Sequence, residues 1–258
     1  DDPNQVTTPA FVWSLLKRWI GPSEAELERA SVYTFHSLLA RTWRRGRLLI
    51  AGDAAHQTPP FMGQGMCAGI RDAANLAWKL DSVIRGRASD KLLDSYETER
   101  HPHVREFIEL TIQMGELINN TRTKLVFKNT RLALSGPQTL GQLKPILGPG
   151  LSAGCPQHRG EMFPQPQLFD GTRMDDQIGF DAALVLDHGI DFGEFEAIKN
   201  IGVSRIKIIQ DRSEGLKSWF KNSRVKAVLV RPDRYILGSA RNESDLKSLL
   251  TGANALGL

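Results

Sequence analysis

The chain has 258 residues, 41% of them hydrophobic and 24% charged, so a packed core is expected and wholesale disorder is excluded. The net charge is only +4, and the one dense basic cluster, Arg41 to Arg47, is too short to favour a nucleic-acid partner. Cys67 and Cys155 lie far apart, which excludes a C-x-x-C centre, metal-ligand spacing and a disulfide ladder, and favours a cytoplasmic location. No apolar run reaches the length of a membrane span, and no signal peptide is recognisable.

The first half of the sequence is predicted to be mainly helical. Apolar residues recur at helical spacing from Met66 to about Arg85, which predicts a long helix there. Ser89 is a suitable N-cap for the next helix, which Pro102 should kink or break. Shorter elements are expected at residues 9–20 (helix), 31–40 and 46–50 (strand) and 122–134 (helix).

The second half predicts a different architecture. Residues 136–177 are rich in proline and glycine, which indicates a linker or an irregular wrapping segment. Strands and helices then alternate over residues 178–258, which implies a small α/β domain. The expected strands are 182–186, 206–209, 225–230 and 235–237, and the expected helices are 192–200, 214–221 and 245–250.

The segment that begins at Gly46 is the most informative part of the sequence. A strand that ends at Ala51 and a turn at Gly52 would present Asp53 at the carboxyl end of the strand, where α/β folds bind ligands. A carboxylate at that place can accept hydrogen bonds from a polyol.

The loop that follows has the properties of a ligand-binding loop. Pro59 and Pro60 restrict the backbone, whereas Gly63 and Gly65 permit a ligand to approach closely. The start of the next helix would stabilise an anion or an electron-rich carbonyl. On these residues alone, a cofactor loop and an ordinary Gly-rich turn are equally acceptable.

The string G-R-x-x-x-x-G-D-A-A-H-x-x-P-P-x-x-G-Q-G, which begins at Gly46, resembles the second FAD signature of the class A FAD-dependent aromatic-ring hydroxylases. The later stretch Y-E-x-E-R-x-P, which begins at Tyr96, is similar to another motif of that family. The resemblance covers roughly residues 30–130. The tail, about 150–258, resembles the thioredoxin-like C-terminal domain of phenol-type and 3-(3-hydroxyphenyl)propionate-type hydroxylases. It lacks the C-x-x-C motif that thioredoxin chemistry requires.

The resemblance implies an α/β fold class. A helix-rich C-terminal part of the FAD- and substrate-binding domain would occupy residues 1–135. A Pro/Gly-rich linker over 136–177 would connect it to a thioredoxin-like α/β domain over 178–258.

The resemblance also implies roles for individual residues. Asp53 should bind a ribityl hydroxyl of FAD, and the Pro60 carbonyl should lie close to the flavin and the substrate. The backbone of Gly63–Gly65 should pass near the isoalloxazine ring. The amides of Met66 and Cys67 should face its N1/O2 edge and stabilise charge there, although many relatives have Asn in place of Cys67.

Other polar residues are interpreted as structural. Glu97, Glu99 and Arg100 are expected to form a charged helix face that ties neighbouring elements together rather than a catalytic cluster. His56 is not interpreted as a base, and Arg71 and Asp72 are interpreted as a packing or capping pair. No catalytic residue and no metal ligand is assigned.

The complete protein would be an oxidoreductase of aromatic hydrocarbon catabolism. It would hydroxylate a phenolic compound such as 3-(3-hydroxyphenyl)propionate, using FAD, NAD(P)H and O2, with no nucleic-acid or membrane partner. The N-terminal G-x-G-x-x-G and the middle Asp-Gly motif of the family are absent from these residues, so the chain is expected to be a fragment that does not hold FAD alone. The alternative is a non-catalytic fragment whose tail serves as an interaction or dimerisation module; a homo-oligomer fits either hypothesis.

Overall fold

A computed structural model of the chain describes residues 2–119, 145–190 and 206–258. The helices predicted over 122–134 and 192–200 lie outside the described residues. The chain forms two compact units, Asp1–His36 and Ser37–Leu258. The domain boundaries given above, at 135/136 and 177/178, are not tested by this division and stay a prediction.

The first unit contains two short helices, α1 (Pro3–Val6) and α2 (Pro9–Leu16). Each begins with proline after a capping side chain: Asp2 accepts a hydrogen bond from an amide of α1, and Thr8 accepts one from α2. The predicted helix over 9–20 is therefore confirmed at its start but ends earlier, at Leu16.

The predicted strand over 31–40 is wrong for most of its length. The structure has a strand only at Leu38–Leu39, and residues 31–37 form no regular element. The side chains of Val32, Tyr33 and Phe35 are at least half exposed. Apolar alternation is not sufficient for a strand, because the backbone also needs a hydrogen-bonding partner.

The second unit begins with short strand pairs and two long helices. Strand β1 (Leu38–Leu39) pairs with β4 (His56–Gln57), and β2 (Arg44–Arg45) pairs with β3 (Leu48–Leu49), all antiparallel. The predicted strand over 46–50 is reduced to the two residues of β3. The elements are β1 (Leu38–Leu39), β2 (Arg44–Arg45), β3 (Leu48–Leu49), β4 (His56–Gln57), α3 (Gln64–Ile84) and α4 (Asp94–Asn119), with one-turn 3₁₀ helices at Gly52–Ala54, Pro60–Met62 and Asp90–Leu93.

Pro102 was expected to kink or break the helix, and it does not break it: α4 continues through this residue. A proline within a helix leaves a carbonyl of the preceding turn without its usual donor. For Pro102 this is the Thr98 carbonyl, whereas the Gly148 amide, from the segment that follows α4, donates to the neighbouring Glu99 carbonyl at 2.9 Å. Val104 and Phe107 are buried on the far side of Pro102, so packing also stabilises the continued helix.

Helix α3 confirms the predicted helix but has an inverted pattern of burial. Its apolar stripe faces solvent: Met66, Ile70 and Ile84 are 75%, 60% and 78% exposed. Its buried face is largely polar and consists of Ala68, Asp72, Asn75, Trp78, Lys79 and Ser82.

The tail is built on a four-stranded mixed sheet. Its strands lie in the order β6 (Ile206–Gln210), β5 (Ala182–Leu186), β7 (Ala227–Val230) and β8 (Ile236–Ala240). Strand β5 is parallel to β6 and antiparallel to β7, and β7 is antiparallel to β8. Every predicted strand and helix among the described residues of the tail is present, with boundaries shifted by a few residues. The elements are α5 (Met174–Ile178), β5 (Ala182–Leu186), β6 (Ile206–Gln210), α6 (Glu214–Ser223), β7 (Ala227–Val230), β8 (Ile236–Ala240) and α7 (Glu243–Ala255).

The sheet is covered on both faces, which explains its continuously apolar central strands. Along β5, Ala183 and Val185 pack in one core cluster with α6, whereas Leu184 and Leu186 pack in the other with α7. This second cluster also contains Trp78 of α3 and Leu92. The tail sheet and the long helices of the second unit therefore share a core.

The segment 145–173 forms no helix or strand but wraps along the tail. Cys155 and Met162 form isolated bridges with residues in and beside β8. A Cβ on Gly238 would lie 1.8 Å from the Ala153 carbonyl, so this wrapping needs a glycine in β8. None of the described helices is long and apolar enough to cross a membrane.

Candidate functional site

The turn at Gly52–Ala54 presents Asp53 at the end of β3. Gly52 has a left-handed backbone with φ +58°, which only glycine adopts easily. A Cβ on Gly69 of α3 would lie 3.4 Å from the Gly52 Cα, so the turn rests directly on the helix. Asp53 is exposed, and its carboxylate is available to a ligand.

The next loop approaches the start of α3 from the other side. Pro59 is buried and Pro60 is exposed. The ring of Phe61 packs against α4 at Gly115, where a Cβ would lie 2.5 Å from the ring. The loop therefore depends on a helical glycine for its position.

The N-terminus of α3 is open to a ligand. Gly63, with φ +61°, caps the helix and provides no side-chain hydrogen bond. A Cβ on Gly63 would meet nothing within 4 Å, and Met66 is exposed whereas Gly65 and Cys67 are partly exposed. The first amides of this helix of 21 residues carry the positive end of its dipole, so they can stabilise negative charge.

Buried aromatic groups support the turn from behind. The Tyr96 hydroxyl donates to the Ile50 carbonyl at 3.0 Å, and the ring of Trp43 lies 5.5 Å from the rings of both Tyr96 and His56. Glu97 accepts the backbone amide of Trp43 at 2.7 Å.

Asp72 joins the turn to both long helices. Its Oδ2 accepts the Gly52 amide at 3.0 Å and lies 2.6 Å from His56 Nε2, and its Oδ1 accepts Arg100 Nε at 2.8 Å. Burial alone would raise the pKa of Asp72, but the hydrogen bond to His56 and the charge of Arg100 outweigh it and lower the pKa below its usual value. His56 is therefore a buried partner of a carboxylate, and Asp72 pairs with Arg100 rather than with Arg71.

A second buried cluster joins the helices to the tail. Glu99 accepts hydrogen bonds from Lys79 at 2.8 Å, from Asn75 at 3.0 Å and from both Nη atoms of Arg231 at 2.8 and 2.9 Å. Asp233 pairs with Arg231 at 2.5 Å. Burial opposes ionisation of Glu99, but Arg231 and Lys79 outweigh this and hold its pKa far below the usual range. These contacts confirm that the charged face of α4 ties elements together.

The six residues predicted to bind a cofactor lie on three adjoining elements. Asp53 lies on the first 3₁₀ turn, Pro60 on the second, and Gly63, Gly65, Met66 and Cys67 at the start of α3. The first two elements each contact α3. Their roles toward a ligand stay a prediction.

Sequence reasoning missed the support of this site. Asp72, Arg100 and Gly115 hold its loops in place. Arg100 was expected to tie elements together but not to support this site, and no such role was expected of Asp72 or Gly115. One signal was present, because Asp72, Asn75 and Lys79 follow each other at helical spacing as a polar stripe.

Known proteins resemble this chain in both sequence and fold. An FAD binding domain model matches residues 2–111, and an HcaD C-terminal domain model matches residues 195–253. A probable NADH-specific resorcinol 4-hydroxylase of Rhodococcus jostii is 36% identical over 95% of this chain and 49% of its own length. A 3-(3-hydroxy-phenyl)propionate/3-hydroxycinnamic acid hydroxylase of Mycolicibacterium vanbaalenii is 34% identical over 91% of this chain and 49% of its own. The chain thus spans about half the length of these curated relatives.

Solved structures share the fold. The rebeccamycin biosynthetic enzyme RebC with reduced flavin matches 97% of this chain and 52% of its own, with a TM-score of 0.72 and 22% identity. The flavin-dependent monooxygenase PieE, in complex with FAD and substrate, matches all of this chain and 55% of its own, with a TM-score of 0.68 and 18% identity.

Proposed function

Because this chain belongs to the family of class A FAD-dependent aromatic-ring hydroxylases, we propose that the complete protein is a flavin-dependent monooxygenase. Its substrate class is a phenolic compound such as 3-(3-hydroxyphenyl)propionate, and its co-substrates are NAD(P)H and O2. The chain contributes one wall of the flavin site together with the tail domain. We also propose that the complete protein is located in the cytoplasm.

One observation carries this proposal: an exposed carboxylate and an uncapped helix N-terminus lie on elements that contact each other. The donor and acceptor set fits FAD. Asp53 is an acceptor for a ribityl hydroxyl, and the α3 amides are donors for the electron-rich edge of the ring. The open space beside Gly63 leaves room for a flat group.

The residues of the chain would bind and orient rather than react. When bound, FAD would supply the redox chemistry, namely oxidation of NAD(P)H and activation of O2. Asp53 would fix the ribityl chain, and the amides of Met66 and Cys67 would stabilise negative charge at the ring. The Pro60 carbonyl would border the substrate, and the Pro59–Pro60 loop would exclude water.

We also propose that the tail is a thioredoxin-like domain without redox function. The order β6-β5-β7-β8, with one parallel pair and two antiparallel pairs, supports this assignment. Both cysteines of the chain lie outside residues 178–258, so the domain has no dithiol. The buried contacts of Arg231 with Glu99 favour a tail built into the enzyme over a free interaction module.

The role of Asp53 can be tested in the complete protein. Replacing Asp53 with Ala removes the acceptor for the ribityl chain, so the flavin-to-protein ratio after gel filtration should fall. Asp176→Ala, at an exposed position of α5, is the matched control and should retain the full ratio. An unchanged flavin content in Asp53→Ala would contradict the role given to this carboxylate.

The 258-residue chain alone should purify without flavin absorbance. One wall of the site cannot replace the missing pyrophosphate-binding motif. A stoichiometric yellow chromophore on this chain would show that the site is complete without that motif.

A further inference from the structure

The most unusual buried group near the proposed site is the carboxylate of Asp72. It lies in the middle of α3, and its side chain is fully inaccessible to solvent. Burying an ionised carboxylate is unfavourable unless hydrogen bonds and opposite charge compensate for it. The protein provides both, which indicates that this position has a defined task.

The two oxygens of Asp72 act on different elements. Oδ2 accepts the Gly52 amide at 3.0 Å and lies 2.6 Å from His56 Nε2. Gly52 and His56 flank Asp53 in sequence, so one oxygen holds both ends of the turn that presents it. Oδ1 accepts Arg100 Nε at 2.8 Å and thereby joins the turn to α4.

Arg100 is itself fixed by further contacts. Its Nη2 donates to the Ala68 carbonyl at 3.2 Å, and its Nη1 lies 2.5 Å from His103 Nδ1. Burial and the charge of Arg100 lower the pKa of His103 to about 3, so this ring is neutral and its Nδ1 is an acceptor. The other nitrogen, Nε2, lies 3.3 Å from the Tyr235 hydroxyl, within hydrogen-bonding distance.

A continuous line of buried hydrogen bonds thus runs from the tail to the turn. Its members are Tyr235, His103, Arg100, Asp72 and Gly52. Tyr235 immediately precedes β8, so the line begins in the tail sheet.

We propose that Asp72 is a positioning residue for the cofactor: it fixes the turn that presents Asp53, and it is braced by Arg100 and His103 of α4 and, through them, by Tyr235 of the tail domain. This inference rests on the proposed function. It adds that the tail supports the flavin site through specific side chains.

The test uses the complete protein and the variant Asp72→Asn, which preserves size and removes the charge. The dissociation constant for FAD, measured by fluorescence titration of the apoprotein, should rise about tenfold or more because Asp53 is no longer held in place. Asp81→Asn, the same change at a partly exposed position of α3, should leave the dissociation constant unchanged.

A second measurement follows the turn itself. In hydrogen exchange of the apoprotein, the segment around Gly52 should lose protection in Asp72→Asn and retain it in Asp81→Asn. This measurement needs no cofactor, so it separates the support of the turn from the binding of FAD.

The variant Leu229→Ala separates a general loss of stability from a specific effect on FAD binding. Leu229 is fully buried in the tail sheet and is not part of the line, so the variant should melt at a lower temperature but bind FAD as the wild type does. If Leu229→Ala weakens FAD binding as much as Asp72→Asn does, the effect is one of stability and the proposal is overturned.

The remaining outcomes are also decisive. If Asp72→Asn does not fold, Arg100→Lys, which keeps the charge but not the forked geometry, should raise the dissociation constant about threefold. Wild-type affinity in whichever variant folds would overturn the positioning role but leave the flavin site intact. A wild-type protein that binds no FAD would instead overturn the proposed function and this inference with it.

Discussion

At the scale of single residues, Glu99 is the point where three parts of the second unit meet. Its carboxylate contacts Lys79 of α3 and Arg231 of the tail, and it also accepts the Leu151 amide of the wrapping segment at 3.0 Å. Such a buried acidic group contributes to stability only while it is ionised and fully hydrogen-bonded.

The chain should therefore lose stability when Glu99 is neutralised. At pH 7, Glu99→Gln should lower the free energy of unfolding by about 3–5 kcal/mol, because it leaves the buried Lys79 ammonium without its carboxylate and leaves Arg231 with Asp233 alone. Glu106→Gln, at an exposed position of the same helix, should change it by less than about 0.5 kcal/mol. Urea denaturation monitored by circular dichroism measures both variants.

The same residue predicts a pH dependence with a definite sign. The pKa of Glu99 in the folded protein lies below the ordinary value of 4.5, so the stabilisation is complete above that pH. As the pH falls below about 4.5, the unfolded chain takes up the proton first and the wild type loses its advantage. The difference in the free energy of unfolding between the wild type and Glu99→Gln should therefore become smaller over this range. A difference that stays constant down to acid unfolding would contradict the assignment.

At the scale of elements, α3 was predicted from its apolar stripe, but the pattern does not say what covers that stripe. Within this chain the structure buries the polar stripe and exposes the apolar one. The exposed stripe borders a groove of about 760 Å³ lined by Ala73, Ala77, Phe180 and Pro232, among others. A continuous apolar surface of this kind is typical of a face that packs against another protein part.

This face should cause self-association of the isolated chain. The double variant Ile70→Lys and Ile84→Lys should reduce the association measured by sedimentation velocity, with little loss of stability because both side chains are exposed. Ser248→Lys with Asn254→Lys adds the same charge at exposed polar positions of α7 and is the matched control. A wild-type chain that is monomeric at high concentration would contradict this expectation.

The elements that could be predicted were those whose local sequence alone indicates whether they are buried. The runs at 182–186 and 227–230 are apolar, and their short length and bounding turns favour buried strands over helices. The continuation of α4 through Pro102 could not be predicted, because it depends on the tertiary packing of Val104 and Phe107, which no local pattern shows. Asp53 and the α3 N-terminus could be located from local motifs, whereas Asp72 could not, since its role depends on contacts with α4 and the turn.

At the scale of the second unit, a shared core joins the helices to the tail sheet. Trp78 and Leu92 pack in the same cluster as Leu184 and Leu229. Together with the Glu99–Arg231 contacts, this core should make the second unit unfold as one cooperative body.

Native-state hydrogen exchange can check this expectation. With increasing denaturant, the amides of α4 and those of β7 should converge on the same free energy of opening. Protection that persists in the sheet after α4 has opened would instead show that the tail folds independently.

The contact of Phe61 with Gly115 has a consequence for the breadth of the proposed substrate site. The ring occupies the space that a methyl group on residue 115 would need. Any larger side chain there would displace the loop, and Pro60 would move with it. We therefore expect that the size of aromatic compound admitted can be altered from the rear of the loop, by a residue that no substrate touches.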